Sequence, residues 1–358
     1  RQSRPSQTSG SDTSWAYGNS QFTFSASNDT LTLNEVALTL EAQREEGGVL
    51  HGARASVNQY PSRDPDTYGA AGQSATDVSE GFVFVEWTRA WHTRLALGRA
   101  PGFVTLEQQE ARPPELRLIG HSYVYQAGGG YPYGLQVTAR PGPWAIKLGA
   151  ANGGMGGYSF YPGDTSTLNR PVARDNDQGL ASDTPDGRTT YGALQWTPFD
   201  RPAGIGTLQL GLATARNPSL TYNAKAGRTE PYRFRNGWLA YRVGALEWRA
   251  EKAGQVSYYE TLASHFDASM VSLLLSWYHG AGQVLTLRLE QLDFTTGRTP
   301  TPSGRATKQG LSYRYRVSGA LAIKVEAVHE IQAPQFVLAT GGKDLTTDVL
   351  AMSWVYSF

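Results

Sequence analysis

The chain has 358 residues with 32 Lys and Arg against 31 Asp and Glu, and a net charge of +1 offers no global field for a nucleic acid or an acidic partner. It contains no cysteine, which removes disulfides, thiolate metal sites and cysteine nucleophiles together. Mean hydropathy is −0.41 and the longest nearly apolar run, 270–278, is broken by Ser272 and Ser276, so nothing approaches the roughly 20 apolar residues of a spanning helix.

Residues 1–19 are polar and lack the apolar core of a signal peptide. They read as a disordered segment before one domain at 20–358; if the protein is exported, its signal has been removed, with any other upstream sequence. From there, period-two alternation predicts strands at 21–27, 33–44, 49–60, 81–91, 94–100, 133–140, 144–151, 190–198, 206–216, 232–243, 245–258, 266–278, 283–294, 308–317, 320–330 and 347–358. The joints at 45–48, 92, 141–143, 199–204, 244, 280–282 and 318–319 are short. Those at 61–79, 101–132, 152–189, 217–231 and 295–307 are long and rich in Gly, Pro, Ser, Thr and Asp. Joints at 28–30 and 260–265 are intermediate, and 331–346 is longer. Long and short joints therefore alternate, as they must when all long loops leave one rim of a barrel and all tight turns the other. Both termini then lie on the tight-turn, periplasmic side. A soluble sandwich has no reason to keep this parity.

Alternate side chains of a strand point to opposite faces. One face carries Leu38, Leu40, Leu97, Leu148, Leu194, Leu212, Leu239, Leu273, Leu275, Leu287, Leu289, Leu311 and Val325. The other carries Arg54, Glu86, Arg94, Lys147, Glu247, Arg249, Glu251, Arg288, Glu290, Arg314, Arg316, Lys324 and Glu326. A basic side chain facing lipid at mid-bilayer costs about 2 to 4 kcal/mol, so the charged face is expected to line a wet lumen. Arg288, Arg314, Arg316 and Lys324 would form a basic ladder, with Glu247, Glu251, Glu290 and Glu326 facing or interleaving with it. Opposed rows would set a transverse field and filter ions, and the near balance of signs argues against strong anion selectivity. The plainer alternative is that these charges pair with one another, as on a soluble sheet.

The joint at 101–132 is unusual for an exposed loop, since it holds Phe103, Val104, Leu106, Leu116, Leu118, Ile119, Tyr123, Val124 and Tyr125. Folded inward, it would pack these on the wall and present Glu107, Glu110, Arg112, Glu115 and Arg117 to the passage as a constriction. An extra hairpin beyond the membrane is the alternative. The forty Gly, nineteen Tyr and nine Trp suit turns, crowded lumenal faces and headgroup-level rings.

The last strand sets Leu350, Met352, Trp354, Tyr356 and Phe358 at every second position. This ending resembles the C-terminal assembly signal of bacterial outer-membrane barrels, with Trp354, Tyr356 and Phe358 as its aromatics. LNEVALTLE at 33–41, LALGRAPGF at 95–103, Glu107 and YGLQVTAR after Tyr131 and Pro132 are similar to the OmpL-like outer-membrane β-barrel porin family. The likeness covers roughly the first 155 residues and departs at Gly128 to Gly130. It implies passive diffusion of small hydrophilic solutes and ions through the outer membrane.

The expected fold is all-β: a transmembrane antiparallel up-and-down β-barrel of about sixteen strands, integral to the bacterial outer membrane. Its partners would be outer-membrane lipid, the barrel-assembly machinery, small solutes, and either further copies in a trimer or a surface layer. A non-conducting anchoring barrel of the envelope is the second reading. No enzyme, cofactor or metal is expected. His121 beside Ser122 and His265 near Asp267 are the only local pairings, strand neighbours point apart, and neither a nucleophile elbow nor paired metal-ligand histidines occur. A plugged, energised transporter would need more than the few residues before Gln21.

Overall fold

Alternating polarity leaves each strand one face for hydrocarbon, and only a closed ladder satisfies every backbone group there. The chain meets both demands in β1 (Phe22–Ser27), β2 (Thr30–Glu46), β3 (Val49–Tyr60), β4 (Ala75–Trp87), β5 (Thr93–Arg99), β6 (Tyr133–Ala139), β7 (Trp144–Asn152), β8 (Arg188–Arg201), β9 (Gly206–Leu220), β10 (Glu230–Val243), β11 (Leu246–Tyr259), β12 (Ser264–Gly280), β13 (Gln283–Thr296), β14 (Ser303–Arg316), β15 (Leu321–Gln332) and β16 (Leu345–Tyr356). The computed structural model describes residues 22–27, 30–60, 75–88, 91–109, 117–119, 122–129, 132–152, 188–201, 204–220, 230–259, 264–296, 303–318, 321–332 and 345–356. The expected disordered segment 1–19, Glu110, Arg112, Glu115, His121 and Phe358 lie outside them.

Strands β2 to β16 form one antiparallel up-and-down sheet, and the short β1 closes it by pairing with both β16 and β2. Every expected strand is present, and β3 keeps its expected bounds. Several run farther toward the long-loop rim than their apolar residues do: β14 begins at Ser303 rather than 308, and β4 at Ala75 rather than 81. Ladder bonds use only backbone, so they continue where the side chains turn polar on both faces.

The other end of β4 departs from expectation in the opposite sense. Its apolar run predicts a strand to Trp91, yet the strand stops at Trp87, and Trp91 and His92 adopt φ of 56° and 41° in the turn. Neighbouring turns hold this left-handed pair. The Arg140 N–H donates to the Trp91 carbonyl at 2.6 Å, and the Thr88 N–H and hydroxyl both donate to Gly48 O, at 3.1 and 2.9 Å. Elsewhere glycine fills such positions, as at Gly244 (φ 56°) between β10 and β11.

Leucine covers the outside of the barrel: Leu38, Leu97, Leu148, Leu212, Leu273, Leu289 and Leu311 are all exposed. Toward the tight-turn rim this surface ends in paired rings. Trp144 stacks on Trp196 with centroids 5.6 Å apart, Tyr241 on Trp248 at 5.9 Å, and His279 on Tyr313 at 5.7 Å. Such rings bury an apolar body and keep a polar edge wet, which suits a headgroup boundary. Among the described residues no helix is long and apolar enough to cross a membrane.

Candidate pore interior

The chain leaves the wall after Arg99, and the described parts of the joint to Tyr133 lie inside the barrel. Their composition explains this. Phe103, Val104, Leu106, Tyr123 and Val124 join a buried cluster with Tyr191 of β8, Phe234 and Trp238 of β10, Met270 of β12, and Leu292 and Phe294 of β13. Farther round, Ile119 packs on Val328 of β15 and on Val349 and Ala351 of β16. One turn of helix, α1 (Tyr123–Gly128), is capped by Ser122, whose hydroxyl accepts from the Tyr125 N–H at 3.0 Å. Gly128 lets this helix touch the wall, because the Phe234 ring occupies the space a Cβ would need.

Carboxylates on the wall take up the backbone donors of the segment. Glu251 accepts from the Leu106 N–H at 2.7 Å, Glu326 from the Ile119 N–H at 2.6 Å, and Glu290 from the Tyr123 N–H at 3.2 Å. The Tyr123 hydroxyl donates to Glu330 at 2.6 Å. Wall donors reach its carbonyls in return: Asn236 to Val104 and Tyr232 to Ala127, both at 2.9 Å, and Ser312 to Arg117 at 2.7 Å. Arg117 donates to both Glu247 oxygens, at 2.9 and 3.0 Å. Buried polar groups are costly when unpartnered, so this polar seam and the apolar cluster hold the segment jointly.

Cations complete the seam. Arg288 donates to Glu326 at 2.7 Å, with side-chain exposures of 0% and 1%, and Lys308 lies 3.7 Å from Glu290. The Lys308 ammonium also sits 4.1 Å from the centroid of the Tyr123 ring.

The charged residues expected on the inner face fall into two groups. Glu247, Glu251, Arg288, Glu290, Arg314, Lys324 and Glu326 are buried on β11 to β15, under or beside the inward segment. Two opposed rows do not form: acids and bases interleave on one wall, and Arg314 even faces Lys324 across the β14–β15 ladder. The rest keep partial exposure. Arg54 bonds Glu80 at 2.6 Å, Arg94 lies 4.0 Å over Phe84 and opposite Glu86, Lys147 donates to Gln109 at 2.9 Å, and Arg249 to Glu247 at 2.7 Å. Arg316 is exposed near the tight-turn rim, where its backbone N–H donates to the Gly282 carbonyl at 3.0 Å.

Of the expected constriction residues, Arg117 is buried in its ion pair, and Glu107 accepts the Ser122 N–H at 3.0 Å, tying two limbs of the segment together. Trp354 and Tyr356 pair with Ile323 and Leu321 in β16. Lys308, Glu330 and Asn236 were not among the expected site residues. The first two lie on the charged parity of strands 308–317 and 320–330, at their ends, where alternation alone would have found them.

Beneath Leu106 and Gln109, toward the tight-turn rim, lies a cavity of about 500 Å³ lined by Arg140, Lys147, Gln195, Gln209 and Arg249 among others.

No protein-family model matches the chain, and a search of curated proteins finds no match. Solved structures are similar across nearly its whole length. In-vitro folded OmpT, an outer membrane protein of Vibrio cholerae in its trimer form, has a TM-score of 0.57 at 10% identity, covering 95% of this chain and 98% of that one. The outer membrane channel DcaP of Acinetobacter baumannii has a TM-score of 0.56 at 11% identity, covering 92% and 86%. An anion-selective porin from Comamonas acidovorans has 0.55 at 13% identity, covering 94% and 97%. At such identities the likeness is one of fold, that of a porin-like outer-membrane barrel.

Proposed function

We propose that the chain is an outer-membrane porin, a passive diffusion channel for small hydrophilic solutes and ions with both termini in the periplasm. One observation carries the reading: a leucine-covered cylinder encloses charged walls and is narrowed from inside by a segment fastened to the wall. The partly exposed charges Arg54, Arg94, Lys147 and Arg249 line the passage that remains, while the buried ones hold the constriction. The resemblance of 33–41 and 95–103 to OmpL-like porins and the porin-like fold support this reading. The mechanism is sieving by the narrowed lumen plus electrostatic filtering, with no covalent chemistry.

A second reading, a barrel closed by its own segment and serving as an envelope anchor, draws on the contact of Ile119 with β15 and β16, far from where the segment enters. Planar bilayers separate the two. Stepwise conductance on insertion supports the porin, and silent insertion of folded protein supports the anchor.

Partners follow from the exterior. Outer-membrane lipid covers the leucine face, and the assembly machinery reads Trp354, Tyr356 and Phe358. The third partner is a second and third copy of the chain. Strands β5 and β6 have seven residues each, short of the roughly 9 to 11 that a tilted strand needs to span hydrocarbon. Their exposed Leu97, Tyr133 and Leu135 need protein cover where the wall is too low, and a trimer supplies it.

A further inference from the structure

We infer that the lumen mouth at the tight-turn rim is an anion-holding vestibule, which gives the channel a preference for small anions such as chloride and short carboxylates. This rests on the porin reading and names a solute class for it.

Among the described residues, the buried acids of β11 to β15 are held by donors of the segment and of the wall. Glu251 accepts the Leu106 N–H and the Asn236 amide, and Glu326 takes Arg288 and the Ile119 N–H. Glu290 takes Lys308, the Ser272 hydroxyl and the Tyr123 N–H, and Glu330 the Tyr123 hydroxyl. On the other wall Arg54 is shared between Glu80 and Glu41, so that trio keeps one negative charge. Glu247 is shared between Arg249 and Arg117, so that trio keeps one positive charge.

The cavity below Leu106 and Gln109 is the opposite case. Arg140, Lys147 and Arg249 line it against one carboxylate, Asp200. Lys147 donates to a neutral amide, Gln109, so its charge is not cancelled. At about 500 Å³ the space admits a partly hydrated anion, and Gln195 and Gln209 can replace some of its water. Fixed charge of one sign in a cleft with low-dielectric walls raises the local concentration of the opposite ion and its rate of entry. The overall balance of acids and bases hides this, because the buried acids of β11 to β15 are turned to the segment, whereas three bases and one acid line the cavity at the mouth.

The test uses the full chain in planar bilayers under a tenfold potassium chloride gradient. The expected chloride-to-potassium permeability ratio is above one. Lys147→Glu and Arg140→Glu should each lower it, and together bring it below one. Arg140 is exposed just after β6, so its substitution reads out even if the Lys147 variant does not fold. Arg44→Glu, on an exposed side chain outside the cavity, should leave the ratio unchanged. Potassium preference in the unaltered protein, or a ratio that Arg140→Glu does not move, overturns the inference while the conductance still supports a porin. Silent insertion would defeat both readings.

Discussion

At the scale of single residues, the buried pair Arg288 and Glu326 shows what the inner charges do. Each is fully buried, and Glu326 also holds the Ile119 N–H, so the pair is a fastening rather than a solvated filter. Removing one partner strands the other charge in a dry site, a loss of about 3 to 5 kcal/mol. Arg288→Met should therefore lower unfolding stability in detergent by that amount. Adding Glu326→Met should restore part of it, but not all, because the Ile119 N–H then lacks its acceptor. Denaturant titration of the four proteins checks this, and a double variant worse than the sum of the singles would contradict it. Gly211 makes a different single-residue demand: the Trp238 ring of the next strand lies where its Cβ would stand. The aromatic wall of β10 thus requires small residues opposite it.

Among the elements, the inward segment depends on the barrel more than the barrel depends on it. The strands of the barrel pair continuously around the ring, whereas the segment is held by side chains of β6 to β16. Phe234 is fully buried against Gly128 of α1, so Phe234→Ala opens a cavity worth about 3 to 5 kcal/mol at that contact. Local opening of the segment should absorb the loss. Hydrogen exchange is expected to speed up at amides 103–106 and 123–128, with β2 to β6 unchanged, and single-channel conductance should rise. Faster exchange all round the ring would instead mean that the segment braces the whole barrel.

For the whole molecule, the wall is low at β5 and β6 because the chain between them is used inside the lumen. In the trimeric porin proposed above, constriction and assembly would be linked: the residues of the inward segment are withdrawn from the lipid-facing wall. Leu97→Arg with Leu135→Arg should convert a trimer to monomers in mild detergent, read by mass from light scattering. Leu212→Arg, on the taller β9, should leave the mass unchanged and lower barrel stability by about 2 to 4 kcal/mol, the cost of a basic group in lipid. A monomer in the unaltered protein would remove the argument from strand length.

By itself the sequence determined the strands, their faces and the rim at which each turn lies. Alternation is a local property, carried within a few residues, so β3 could be read at 49–60 and Leu311 turned outward from Ser312 and Arg314. The failure at β4 is not local, since the left-handed turn at Trp91 is held by Arg140 and by Gly48 from other turns, and nothing near Trp91 announces it. Only the tertiary structure decided what the inner charges meet. Leu106 reaches Glu251 across 145 residues and Ile119 reaches Glu326 across 207, separations over which no periodicity speaks. Closing the ring buries those groups against one another, and desolvation then requires each acid to find its donor.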